Sequence, residues 1–262
     1  MRSFFHCVAA AACLPLLFAP PAMAGSDEAG PAAAVVVNVT LASQYVSRGF
    51  RQTWGKPALQ AGADYAHPSG WSAGTWLSSV SGRFVENASV EWDLYGGYAG
   101  TAGDLGFSAL VYYYAYPGAE YTATATSYNY GELALGLTYK VLYAKYMHTY
   151  TPEFFGITHA RGTGYLDLGA NIDLGSGHTL ILHVGNGRVA GDGNGIWNWR
   201  DAKLGMSKAW PGGWSATAAY TRAWGKTDVY DNYTLGIPNS AGVVESSKLG
   251  KGTLVVSITR SF

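Results

Sequence analysis

Cysteine is nearly missing from this chain of 262 residues, which carries only Cys7 and Cys13, both close to the N-terminus. Past them there is no thiol for a disulfide framework or a thiolate metal site. Charge is scarce as well: Asp, Glu, Lys and Arg make up 13% of the residues, where a soluble domain carries about 25%. The two signs balance at 17 each, so the basic footprint of a nucleic-acid binder is missing and no nucleic acid is expected as a partner. Long hydrophobic runs are missing too. After Phe18 no stretch of apolar residues is long enough for a membrane-crossing helix, which needs about 18 or more.

What the chain does have is 14% aromatic residues, 35 glycines and 48% hydrophobic residues in all. With so many apolar side chains and no continuous run of them, they must be dispersed, and they are dispersed in alternation. The last stretch, GTLVVSITRSF (252–262), shows it best. Phe262, Ile258, Val256 and Leu254 share one parity with Arg260, and Ser261, Thr259, Ser257 and Thr253 share the other with Val255. A strand places successive side chains on opposite faces, so this stretch has an apolar face and a hydroxyl face. A closing strand with a terminal aromatic is how an outer-membrane barrel ends, and Arg260 on the apolar parity is expected to snorkel to nearby headgroups.

The N-terminus fits that compartment. A basic start, an apolar run from Val8 to Phe18 and the A-x-A site Ala22-Met23-Ala24 read as a secretory signal peptide over 1–24. Residues 25–34 read as a small-residue periplasmic linker, and 35–262 as the barrel. Alternation predicts about twelve strands, the first over Val35–Ser47 and the last over Gly252–Phe262. The connections between them alternate strictly between short turns, such as His67–Gly70 and Pro211–Gly213, and long loops, such as Arg48–Lys56 and Gly225–Lys251. That is the pattern of an all-β, closed, antiparallel, up-and-down transmembrane barrel with both termini in the periplasm. Aromatics at the strand ends, among them Tyr45, Tyr143, Trp197, Trp210, Trp214 and Trp224, read as interfacial girdles.

Parity then assigns faces. With Leu and Val outward, the strand charges Asp64, Glu91, Asp93, Glu132, Lys145, Asp167, Asp201 and Lys203, together with His183, fall on the inner face. These are the expected pore-lining residues, and their excess of acids predicts a modest cation preference. The competing reading is a salt-bridged interior that ties the walls together and blocks flow. Twelve strands lie between the filled barrel of about eight and the open porin of about sixteen, and an open or loop-gated narrow channel is the expected state. Arg48, Arg51 and Lys56 form a basic loop rim, either a constriction or a contact for lipopolysaccharide phosphates. The largest loop, Gly225–Lys251, is the expected cover of the pore. Tyr112, Tyr114 and Tyr116 with Trp76 and Tyr130 allow an aromatic track, but packing in the wall or girdle is the preferred reading.

One stretch is more specific. YVSRGFRQTWGKPALQAGADYAHPSGWSAGTW (45–76), followed by EWDLYGGYAG (91–100), YYYAYPG (112–118) and NYGELALGLTY (129–139), resembles the TorF family of porins. There S-R-G, Q-T, G-K-P-A-L-Q, H-P-S-G and G-T-W recur in this order. The resemblance covers nearly the whole chain after residue 24, and Trp54 departs from it, standing where a small or acidic residue is expected. It implies an outer-membrane barrel with a channel role and no particular substrate.

The expectation is therefore a Gram-negative outer-membrane porin for passive diffusion of small polar solutes or ions, a monomer or weak oligomer. Its partners would be outer-membrane lipid and lipopolysaccharide, and its C-terminal strand would address the barrel-assembly machinery. The alternative is a closed barrel with a structural or surface-binding role through its loops. No enzyme is expected, since His148 and His159 have no partner motif for nucleophilic or protease chemistry. No cofactor or metal is expected; Asp192 and Asn194 in GDGNG lack the bidentate Glu of a calcium loop.

Overall fold

The structure, a computed structural model, describes residues 33–262. The expected signal peptide and all but the end of the expected linker lie outside the described residues. Twelve strands form one closed barrel: β1 (Ala34–Ala42), β4 (Ala58–Ala66), β5 (Trp71–Ser79), β6 (Val90–Ala102), β7 (Leu105–Ala115), β10 (Tyr130–Tyr139), β11 (Leu142–Thr149), β12 (Gly164–Gly175), β13 (His178–Arg188), β14 (Trp199–Trp210), β15 (Trp214–Gly225) and β16 (Thr253–Ser261). The remaining four are two-residue strands in loop hairpins, β2 (Val46–Ser47) with β3 (Phe50–Arg51), and β8 (Glu120–Tyr121) with β9 (Thr126–Ser127).

Every barrel strand pairs antiparallel with its chain neighbour, and β1 closes the ring on β16, with Val39 opposite Arg260 and Leu41 opposite Ile258. Closure leaves no edge unpaired. Both ends of the described chain lie at the rim of short turns.

The outward face is apolar. Val35, Val37, Val39 and Leu41 of β1, Leu133, Leu135 and Leu137 of β10, and Leu254, Val256 and Ile258 of β16 all stand exposed. In water that surface would be costly; against lipid it is the stable arrangement. Trp71, Tyr98, Phe107, Tyr139, Trp210, Trp214 and Phe262 ring the short-turn rim, and Tyr113, Tyr146 and Trp224 stand at the other. Arg260 is accommodated there with its guanidinium 5.6 Å from the Trp214 ring centroid and 4.9 Å from that of Phe262.

Three expected girdle members do not belong to it. Tyr143 shares the inward parity of Lys145 on β11. Trp197 sits in a 3-10 turn, Asn194–Trp197, and packs on Tyr230 at 5.7 Å. Tyr45 is buried inside, because β1 ends at Ala42 and not at Ser47. Beyond Ala42 the chain leaves the wall and turns into the lumen, so the strand parity no longer applies to it.

Candidate functional site in the barrel lumen

The first loop makes the site. Val46–Arg51 is a tight hairpin with Ser47 opposite Phe50, which leaves Arg48 and Gly49 as its two turn residues. Both have positive φ, 47° and 81°, the signature of a type I′ turn. Gly49 is required twice over, since a Cβ there would lie 2.7 Å from both the Ala223 and the Asp201 Cβ atoms. The S-R-G element of the sequence is therefore the tip of a hairpin that enters the barrel and touches the inner wall of β14 and β15.

Arg48 is accordingly not on a rim. Its guanidinium forks onto Glu132 of β10, with Nη1 donating to Oε1 at 3.0 Å and Nη2 to Oε2. It also approaches Met147 Sδ at 3.3 Å and lies over the Tyr165 ring, 4.6 Å from its centroid. Arg51 stays near the mouth, donating from Nε to Gln44 Oε1 at 3.0 Å, and Lys56 is exposed. Beside the hairpin, a cavity of about 20 Å³ remains between Val46, Arg48, His183, Asp201, Lys203 and Thr221, room for about one water. Another concavity, about 500 Å³, is lined mainly by outward-facing residues of the wall, among them Leu137, Leu142, Leu168 and Leu182.

The charges assigned inward by parity do face inward, and they fall into two groups. On β6 and β10, Glu91, Asp93 and Glu132 are almost completely buried. Tyr45 donates to Glu91 Oε1 at 3.1 Å, while Glu91 Oε2 and both Asp93 oxygens have no hydrogen-bond partner among the described residues. On β11 to β14 a continuous chain crosses the wall. Lys145 Nζ is 3.6 Å from Asp167 Oδ2, His183 Nδ1 is 2.7 Å from Asp167 Oδ1, and His183 Nε2 is 2.6 Å from Asp201 Oδ2. Tyr165 donates to Asp201 Oδ1 at 3.0 Å. With a carboxylate on each ring nitrogen, His183 meets both as a donor only in its imidazolium form. Gly185 stands opposite Asp201, and a Cβ there would fall 2.4 Å from Asp201 Oδ1 and 2.2 Å from the Tyr165 hydroxyl. Lys203 faces inward opposite His183 in the register. Asp64 is half-buried and accepts from Tyr95 at 2.6 Å.

The tyrosines preferred as wall or girdle packing are instead an interior stack. On β7, Gly106 to Tyr114 bury every second residue, which turns Tyr112 and Tyr114 inward. Adjacent rings lie 5.3 Å apart from Tyr95 to Tyr112, 6.0 Å from Tyr112 to Tyr114 and 4.5 Å from Tyr114 to Tyr130. The array continues through Phe154 of another long loop to Trp199 and Tyr165. A strand apolar on both faces hid that register in the sequence.

The loop 226–252 lies over the mouth. Tyr230 packs on Phe50 at 4.3 Å and donates to Trp197 O at 2.7 Å; Tyr233 packs on Phe84 and donates to Phe84 O at 3.0 Å. Burial pushes both phenols above their ordinary range, so they remain neutral donors. Arg51 N–H donates to Leu249 O at 3.2 Å, which ties this roof to the hairpin below it.

A sequence profile of the family described as "Bacterial protein of unknown function (Gcw_chp)" matches residues 26–262. None of the curated proteins matches the chain. Among solved structures, a KdgM porin superimposes with a TM-score of 0.52 at 8% identity, over 87% of this chain and 99% of that one. A NanC porin gives 0.52 at 9% identity, again over 87% and 99%. A KdgM porin "in complex with disordered oligogalacturonate" gives 0.51 at 8% identity over the same shares. At these identities the similarity is one of fold.

Proposed function

The chain belongs to the Gcw_chp family of bacterial proteins of unknown function, a membership that brings no activity with it, and we propose that it is an outer-membrane porin whose narrow lumen is gated by its first loop. The finer family reading, a TorF-type porin, rests on the motifs from S-R-G to G-T-W and is part of this proposal, as are export by a cleaved signal peptide and contact with lipopolysaccharide.

One observation carries it. The lumen is occupied by a loop, while the wall beside that loop is built of small residues. Gly185 and Gly187 of β13, Gly205 of β14, and Ala219, Thr221 and Ala223 of β15 all face inward. A barrel made only as a scaffold fills its interior with its own wall side chains. Here the wall's own aromatics fill only part of the interior, and the space against β14 and β15 is taken by a six-residue hairpin with ends at the mouth, an element that can withdraw while the barrel stays closed. Selection would be by size and by the inward charges. Six carboxylates, Asp64, Glu91, Asp93, Glu132, Asp167 and Asp201, face three permanent cations, Arg48, Lys145 and Lys203, which favours cations. The oligogalacturonate of the KdgM complex is not carried over, since a polyanion would be repelled by this wall.

Liposome swelling tests the reading. Vesicles containing the protein, or a variant with residues 46–51 replaced by a Gly-Ser segment, are expected to admit small cationic solutes faster than anionic ones of equal size. Swelling no faster than that of empty vesicles, for both proteins, favours the second reading: a closed barrel acting through its aromatic roof.

A further inference from the structure

We propose that the lumen contains a recognition site for small guanidinium-type organic cations, and that Arg48 of the hairpin is its tethered occupant. The proposal rests on the channel reading only for the route by which such a cation arrives.

The groups around the Arg48 guanidinium all come from the barrel wall. Glu132 of β10 offers both oxygens to the planar fork, Met147 of β11 offers its thioether, and Tyr165 of β12 offers a ring face at 4.6 Å. A carboxylate in the plane of the fork and an aromatic over its face are the two features that distinguish a guanidinium from a point charge. The receptor is thus preformed by three adjacent strands, and the loop only delivers the ligand.

The acceptor atoms there exceed what Arg48 occupies. Asp93 is 0% exposed and neither of its oxygens has a hydrogen-bond partner among the described residues. Asp93 therefore brings two spare acceptor atoms to the same interior as the Arg48–Glu132 pair. Such a site receives a second cationic donor group more readily than a neutral or anionic one.

The occupant is held on a turn that can let go. Arg48 itself sits at φ 47°, a conformation that favours glycine, with Gly49 beside it at 81°. A free guanidinium competes for Glu132 and Tyr165 without that constraint. Displacing Arg48 would free the hairpin tip, so the same event that binds solute would open the path past it.

The test is rescue of a cavity variant, read on full-length protein in detergent. Arg48→Ala is titrated with ethylguanidinium chloride against sodium chloride at equal ionic strength, following thermal unfolding by circular dichroism. The gel mobility of the unboiled protein reports that the barrel has formed, and Arg48→Gln replaces Arg48→Ala if it has not. The expected result is a saturable rise in Tm at millimolar ethylguanidinium. Methylammonium should need about tenfold more, the equivalent of one hydrogen bond to a charged group, and Arg48→Ala/Glu132→Gln should not respond. An equal response in the double variant, or one that sodium chloride reproduces, overturns the proposal. Because nothing in this readout requires conduction, failure here with swelling intact removes the site and leaves the porin, whereas rescue without swelling leaves a binding site in a barrel that does not transport.

Discussion

His183 is held between two acids, Asp167 at 2.7 Å and Asp201 at 2.6 Å, with Lys145 beyond the first and Tyr165 against the second. In a buried chain of this kind opposite charges face each other, so removing one partner leaves a buried charge without its counter-charge and not merely a lost contact. His183→Gln should therefore destabilise the barrel by about 3–5 kcal/mol, measured by tryptophan fluorescence during denaturant unfolding from lipid vesicles. Adding Asp201→Asn should recover part of the loss, because it removes the acid that loses its ion-pair partner, whereas Asp167 keeps Lys145; strictly additive losses would mean that the two side chains are not coupled. That the charged ones face inward is legible from the sequence, because Asp167 is flanked by Leu166 and Leu168, His183 by Leu182 and Val184, and Lys203 by Ala202 and Leu204. Which of them touch was not legible. Contact depends on the register between strands, where Lys145 meets Asp167 directly and His183 reaches Asp167 on the diagonal.

At the scale of elements, β16 and the first-loop hairpin show what alternation can and cannot reveal. β16 spans Thr253–Ser261 with Leu254, Val256 and Ile258 outward and Ser257 and Thr259 buried, as its parity requires. Thr259 bonds Thr40 of β1 across the closure at 2.7 Å. We propose that its terminal Phe262, 69% exposed at the short-turn rim, is read by the assembly machinery. Deleting Phe262 should lower the amount of heat-modifiable protein in isolated outer membranes severalfold; an unchanged amount would mean that the residue serves only the girdle. The hairpin was illegible for a physical reason. Its strands are two residues each, too short for a period, and Tyr45 continues the apolar parity of β1, so alternation alone extends that strand to Ser47. That continuation puts Tyr45 in the girdle and Arg48 on the rim, although the chain turns inward after Ala42.

For the whole molecule, the strands, their number and the strict succession of short and long connections follow from composition and period, since a membrane barrel has few ways to satisfy its backbone. The state of the lumen does not, because it is decided by where loops fold. Here the first loop fills the barrel at the level of His183 and Asp201, and the last loop covers it through Tyr230 and Leu249. The central claim is that this filling is a removable gate in a channel. Single-channel recording in planar bilayers, comparing the native chain with the variant in which residues 46–51 are replaced by Gly-Ser, tests it most directly. The account predicts small discrete steps for the native protein and larger, cation-selective steps for the variant. Identical conductance in the two, or no discrete step from either at any voltage, would contradict it.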